Sequence, residues 1–295
     1  MKKTILLIMI FITIVTGILL LNPSVRVSIF GVEPSYRLQD GDAADYTMTA
    51  DVKVEMEGIP APAVSSFPIK SLSAFIRQKA TRRVSGGSGK EALFNFTLSA
   101  QSAGVTLNGK PSRVDFLDKD VMVALRMSPG GEIAGPDGGG GLSTEEKTAR
   151  ESVRAILVFP LPRGRVKPGS TWEDSSGQAL FYSSHEIALR GKTTYRFEKI
   201  EKWNGRDCML VGFEGNMEMQ PAGREPLPVK GTAKVQGSFL FDWGRGEVVK
   251  ARKEIDLKME MGFGGPLGEA LKLGGLKVSP RAVITLEAER SVAGR

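Results

Sequence analysis

The sequence predicts a mainly β (α+β) protein: a curved or half-closed antiparallel sheet in two halves, with one covering helix, preceded by one N-terminal transmembrane helix. Three observations predict it. An uncharged apolar run fills residues 4–21, directly after Met1-Lys2-Lys3. Alternation of apolar and polar residues with period two recurs between residues 46 and 289. A single strong helix-start signal, Ser143-Thr144-Glu145-Glu146, follows a glycine-rich stretch.

The N-terminal run is just long enough, at ~1.5 Å per residue, to cross a hydrocarbon core. A soluble core helix would not be apolar on every face. Lys2 and Lys3 before the run, against only Arg26 soon after it, place the N-terminus in the cytoplasm and the body beyond an inner membrane. A cleaved signal peptide is the rival reading, but its apolar region runs ~7–15 residues and ends in a small-x-small site. Here the run is longer and ends Leu20-Leu21-Asn22-Pro23-Ser24, so an uncleaved single-pass anchor is favoured. A lipoprotein anchor has no cysteine to use, since Cys208 is the only one.

One cysteine also means no internal disulfide, so the exported body needs its own core. A chain of 295 residues is long enough to build one. The formal charge is +7, two of it from Lys2 and Lys3, which suits a body lying near anionic lipid headgroups. Nucleic acid is a poor partner, because few aromatics interleave with the basic residues.

In chain order the expected parts are an anchor (1–22), a juxtamembrane spacer (23–44), a first β half (45–127), a glycine-rich linker (128–142), a helix (143–158) and a second β half (159–295). In residues 46–57 every even position is apolar or small and every odd position polar, a strand with one buried face. Residues 72–84 fit a strand or a helix through Leu72, Ile76 and Ala80. The turn signal Ser85-Gly86-Gly87-Ser88-Gly89 and the renewed alternation Ala92, Phe94, Phe96, Leu98, Ala100 favour a hairpin. Short strands are expected at 113–116 and 120–127. The capped helix carries Val153, Ile156 and Leu157 inward, and Phe159-Pro160-Leu161-Pro162 stops it.

In the second half Trp172 anchors a turn entering a strand, and further strands fit 179–182, 193–202, 207–219, 232–241, 248–261 and 282–289. Asn204-Gly205 marks a tight hairpin. The stretch 262–275, with Phe263, Leu267, Leu271 and Leu273 on a glycine background, is a surface loop or a lid.

Catalysis has little material. The single histidine, His185, sits in Ser183-Ser184-His185-Glu186 without a Gly-x-Ser-x-Gly elbow or a second histidine, and is expected to be an ordinary strand or loop residue. No enzyme, cofactor or metal is expected. Met217-x-Met219 and Met259-x-Met261 put paired thioethers on one strand face, a pattern compatible with Cu(I). Core filling fits better, because Met48, Met56, Met122, Met127 and Met209 are scattered along other strands. The candidate ligand-binding residues are Met217, Met219, Met259, Met261, Phe263 and Leu267, lining an adaptable apolar site. Arg77, Lys79 and Arg83, with Lys70 and Arg82 nearby, and the group Arg163, Arg165 and Lys167, read as solvated faces able to meet lipid headgroups or an acidic partner.

Pro160-Leu161-Pro162 followed by Val166-Lys-Pro-Gly-Ser-Thr-Trp172, and Val235-Gln-Gly-Ser-Phe-Leu-Phe-Asp242 followed by Gly246, resemble exported bacterial proteins with β-rich domains of uncharacterised function. These are turn and core signatures, so the resemblance carries over no site residue. The expected sheet with a helix is also similar in outline to half-barrel periplasmic lipoprotein carriers. The expected function is that of a membrane-anchored envelope protein binding an apolar or lipid-like ligand. A structural or assembly module holding an envelope protein partner is the alternative.

Overall fold

The computed structural model describes residues 23–37, 39–57, 70–87, 90–112, 120–134, 142–175, 177–182, 185–222, 229–263 and 276–291. Among them no helix is long and apolar enough to cross a membrane. The apolar run 4–21, the strand expected at 113–116 and most of the loop 262–275 lie outside the described residues.

The described chain is a mainly β, antiparallel structure. In order it forms α1 (Pro23–Phe30), β1 (Ala43–Glu57), β2 (Ser71–Ser85), β3 (Ala92–Leu107), β4 (Lys110–Ser112), β5 (Val121–Met127), α2 (Thr144–Leu157), β6 (Thr171–Asp174), β7 (Gln178–Tyr182), β8 (His185–Trp203), β9 (Arg206–Ala222), β10 (Val229–Asp242), β11 (Glu247–Phe263) and β12 (Leu276–Arg290). Residues 72–84 are strand, as the flanking turn required. Asn108-Gly109 and Asn204-Gly205, all at positive φ, close the tight turns after β3 and β8.

All twelve strands belong to one sheet, in the order β4-β3-β2-β1-β12-β11-β10-β9-β8-β6, with β5 also on β3 and β7 also on β8. β1 to β4 and β7 to β12 each pair with their neighbours in sequence, β5 returns to β3 and β6 pairs with β8, and at the centre the first strand meets the last: Tyr46 faces Arg290 and Glu57 faces Ser279. That single pairing joins the two halves into one continuous surface. Pro280, lacking an N–H, sits in this central strand, and the β11–β12 ladder is interrupted between Lys258–Arg281 and Met261–Val278.

Helix α2 begins as the sequence requires. The Ser143 hydroxyl accepts from the Glu146 N–H, and the Glu146 carboxylate accepts from the Ser143 N–H at 2.8 Å. Its buried stripe is Val153, Ile156 and Leu157. The helix packs on the central strands β11 and β12 and also on β5 and β7, which lie towards opposite edges of the sheet. The sheet therefore curls around the helix. Among the described residues its two edges do not pair with one another.

The inner face holds one main core, with Phe159 stacked on Phe239 at 4.2 Å and Trp172 stacked on Tyr195 at 5.6 Å. Each such buried ring contributes roughly 1.5–3 kcal/mol through apolar burial alone. The half-buried Trp172 also donates from Nε1 to the Pro160 carbonyl at 3.0 Å.

Residues 23–44, read from sequence as a spacer, are folded onto the body. Val27 of α1 is buried, Val32 exchanges both backbone bonds with Val166, and the Arg37 N–H donates to the Gly246 carbonyl at 3.0 Å. Gly246 has positive φ, and a Cβ there would collide with the backbone of Ser35 and Arg37. Buried Tyr36 clamps the same segment. Its hydroxyl donates to the Phe159 carbonyl at 3.1 Å and accepts from the Phe159 N–H at 2.8 Å.

Candidate functional site

Registers across the sheet put one residue of each strand side by side, so the inner face can be read in rows. One row runs Leu107, Leu72, Val54, Ala282, Leu257, Ala233 and Met217. The next runs Val105, Ala74, Val52, Ile284, Ile255 and Val235. A third runs Ala103, Ile76, Ala50, Leu286, Lys253, Gly237 and Phe213. On β9–β11 the apolar members are buried, whereas on β3, β2, β1 and β12 all but Ala282 are half-exposed. The outcome is an apolar surface on the inner face that side chains cover at one side and leave accessible at the other. The opposite face of the same strands carries the charges, with Asp51, Lys53, Glu55, Arg77 and Lys79 all exposed.

Three of the six ligand-binding candidates gather at the covered side. Met217 and Met219 of β9 are buried, and Met259 of β11 is half-buried against the same core. Met219 and Met259 lie on either side of Gly231 in the register. A Cβ at Gly231 would come within 2.9 Å of the Met219 Sδ, so the glycine makes room for that thioether. In the register Met261 pairs with Val229 and Val278 and Phe263 with Leu276, and Leu267 lies outside the described residues. Of the other methionines, Met48, Met127 and Met209 are buried as core filling requires, but Met122 is 76% exposed on the outer face of β5.

A small cleft opens where α2 meets the sheet. Arg154, Ala155, Val158, Phe159, Pro160, Asp174, Thr193, Tyr195, Phe213, Val235 and Lys253 line it, and its volume for water centres is ≈ 30 Å³. Lys253 is 2% exposed, and its Nζ donates to the Ala155 carbonyl of the last helical turn at 3.4 Å. Loss of hydration pushes this amine down to about 7, the Arg154 charge pushes the same way, and Glu151 opposes both. Arg154 itself donates to the Gly177 carbonyl at 2.9 Å and stands 3.5 Å from Glu151. Burial raises the Tyr195 hydroxyl well above its ordinary value, so it stays a neutral donor. Sequence reading missed Lys253. The signal was a gap in the apolar run Ala251, Ile255, Leu257 of β11, where position 253 is charged; Val249, in the same sequence phase, packs in a separate cluster past the register shift.

A second buried polar group lies at the end of the sheet near the Gly244-Arg245-Gly246 turn. Glu247 accepts from Arg82 at 2.9 Å, with the Arg290 guanidinium at 2.7 Å and that of Arg245 at 3.8 Å. The Arg82 guanidinium also lies over the Tyr46 and Phe94 rings, at 6.0 Å and 5.8 Å. Desolvation raises the Glu247 carboxyl above its ordinary value, against the lowering effect of Arg82. Arg82, read as part of a basic surface group, is instead a buried ion-pair partner. Arg77, Lys79 and Arg83 are exposed as expected, with Lys79 on Asp45 at 3.1 Å, and exposed Arg163 is held by Glu132 at 2.7 Å.

His185 opens β8 opposite Tyr182. Cys208 is buried in a separate outer-face cluster with Leu240 and Val249, and desolvation pushes its thiol up to about 12. Such a thiol is protonated and unreactive at neutral pH. Among the described residues no group of three or more His, Cys, Asp or Glu could hold a metal ion.

No protein-family model matches the chain, and no curated protein matches it either. Among solved structures it is similar to an outer membrane channel from Pseudomonas putida F1, at 7% identity and a TM-score of 0.22 over 88% of this chain and 100% of that one. It is also similar to OpdQ of Pseudomonas aeruginosa, at 8% identity and a TM-score of 0.20, covering 85% of this chain and 99% of that one. The enduracididine biosynthesis enzyme MppR follows at 9% identity and a TM-score of 0.16, covering 85% and 88%. Likenesses of this size carry no argument, and what the chain does has to come from its own surfaces.

Proposed function

We propose that this protein is a membrane-anchored component of a bacterial envelope that binds an apolar, lipid-like ligand on the inner face of its sheet, and acts by binding without catalysis. The observation that carries the reading is the apolar surface on β12, β1, β2 and β3, formed by residues such as Ile284, Leu286, Val52, Val54, Leu72 and Ile76, which are half-buried where their counterparts on β9–β11 are fully buried. A contiguous apolar surface of this kind marks a place that something apolar covers.

The route of the chain supports a lipid as that cover. The apolar run 4–21 is followed at once by α1, whose Val27 is already buried in the body. At ~3.3–3.6 Å per extended residue, the few residues between keep the body within roughly 20 Å of the bilayer. Ile29 and Phe30 of α1 are exposed beside that junction and suit an interfacial position.

The test is binding of hexadecanol, a neutral single-chain probe, to the full chain in a neutral amphipol. The wild type should bind it, Ile284→Asp and Ile76→Asp should weaken binding by about tenfold or more, and Lys79→Asp on the outer face should leave it unchanged. A wild type that does not bind the probe overturns the reading.

A further inference from the structure

We propose that the cleft between α2 and the sheet is a headgroup site, in which Lys253 and Arg154 hold the carboxylate of a long-chain anionic amphiphile whose tail lies along the apolar rows beginning at Leu286. The inference rests on the apolar-ligand reading above and adds the chemical class of the ligand.

Position is the first support. Leu286 is the register partner of Lys253, and Ala50 and Ile76 extend the same row on β1 and β2. Position 253 therefore adjoins, within one strand spacing, the half-buried apolar surface that would carry a tail. Val235 and Phe213 bring apolar surface to the cleft wall as well.

Charge is the second. Lys253 is the one buried lysine among the described residues, and none of their carboxylates lies within ion-pair distance of it. Its described bond is a single long one to the Ala155 carbonyl, leaving two of three N–H donors for a guest. The other charged or titratable groups around it are Arg154 and Glu151 on α2, Asp174 on β6 and Tyr195 on β8. Arg154 adds a second cation, already partnered by Glu151 at 3.5 Å, and an anion between the two relieves the repulsion that remains. Asp174, which has a partner of its own, is the acidic member of the lining and opposes an anion on its side.

Size is the third. A volume of ≈ 30 Å³ for water centres takes a group of about one or two waters, the scale of a carboxylate. The protonation consequence follows from the charges. A bound carboxylate favours the ammonium form, so binding takes up a proton at Lys253 and tightens as pH falls towards neutrality from above.

The experiment compares palmitate with hexadecanol on the full chain in a neutral amphipol, at about pH 6.5 and about pH 8.5, for the wild type, Lys253→Met and Arg154→Gln. The expected result is a palmitate preference of about tenfold or more in the wild type at the lower pH, smaller at the higher pH. Lys253→Met should erase both the preference and its pH dependence, and Arg154→Gln should reduce the preference. Equal affinity for the two probes, or a preference that survives in Lys253→Met, overturns the headgroup site while the apolar-ligand reading stands. Failure of the wild type to bind either probe overturns both.

Discussion

The Lys253 amine donates to the Ala155 carbonyl across 98 positions of sequence, tying the middle of β11 to the last turn of α2 at 3.4 Å. The tie satisfies a helix-end carbonyl that has no partner within the helix, but it places a titratable amine where hydration is lost. Its native value of about 7 lies below its ordinary 10.5. Between those values the unfolded chain binds more protons than the folded one, so stability rises as pH rises through that window. Urea unfolding between about pH 6 and about pH 10 should show that rise. Lys253→Met should remove that dependence. An unchanged pH profile in the variant would place the amine in water.

Glu247 compensates Arg82 and Arg290 at the buried end of the sheet. Glu247→Leu should leave two guanidinium groups without their counter-charge and cost roughly 3–5 kcal/mol in chemical denaturation. Arg82→Met should cost less, because Arg290 and Arg245 still face the carboxylate. The order of the two variants is the check, and the reverse order would mean that Arg82 acts chiefly through its contacts with Tyr46 and Phe94.

Tyr36 fixes the N-terminal segment by serving both backbone groups of Phe159. Tyr36→Phe keeps the ring against Phe241 and strands a buried N–H and a buried carbonyl. The expected loss is about 1–3 kcal/mol, with faster amide exchange at Val32 and Arg37, whose N–H groups donate to Val166 and Gly246.

Local patterns made much of this fold legible. The alternation of Tyr46, Met48, Ala50, Val52, Val54 and Met56 marked β1, and Ser143 with Glu146 marked the start of α2, both as found. Strand ends were read short where alternation breaks. In β3 an extra residue, Gln101, shifts the register opposite Arg77 and Gln78, and the strand continues to Leu107 beyond it. The last strand, read as 282–289, begins at Leu276, and Pro280 lies within the added stretch where the β11–β12 ladder is interrupted. The pairing of β1 with β12 has no local signal, since it joins the two ends of the body. The candidate site was half legible for the same reason. The methionines named as ligand-binding candidates lie at the covered corner of the inner face, while Lys253, Arg82 and Glu247 are buried charged residues whose partners only the fold supplies.

The central claim is that the accessible inner face holds a lipid-like ligand. A photocrosslinking amino acid placed at Ile76 or Leu286 in the full chain, irradiated in cells and read by mass spectrometry, addresses it directly, with Lys79 on the outer face as the control position. The account predicts lipid adducts at Ile76 and Leu286 and none at Lys79. Protein adducts alone at the inner positions would contradict it and favour an assembly module, and equal lipid labelling of both faces would contradict it as well.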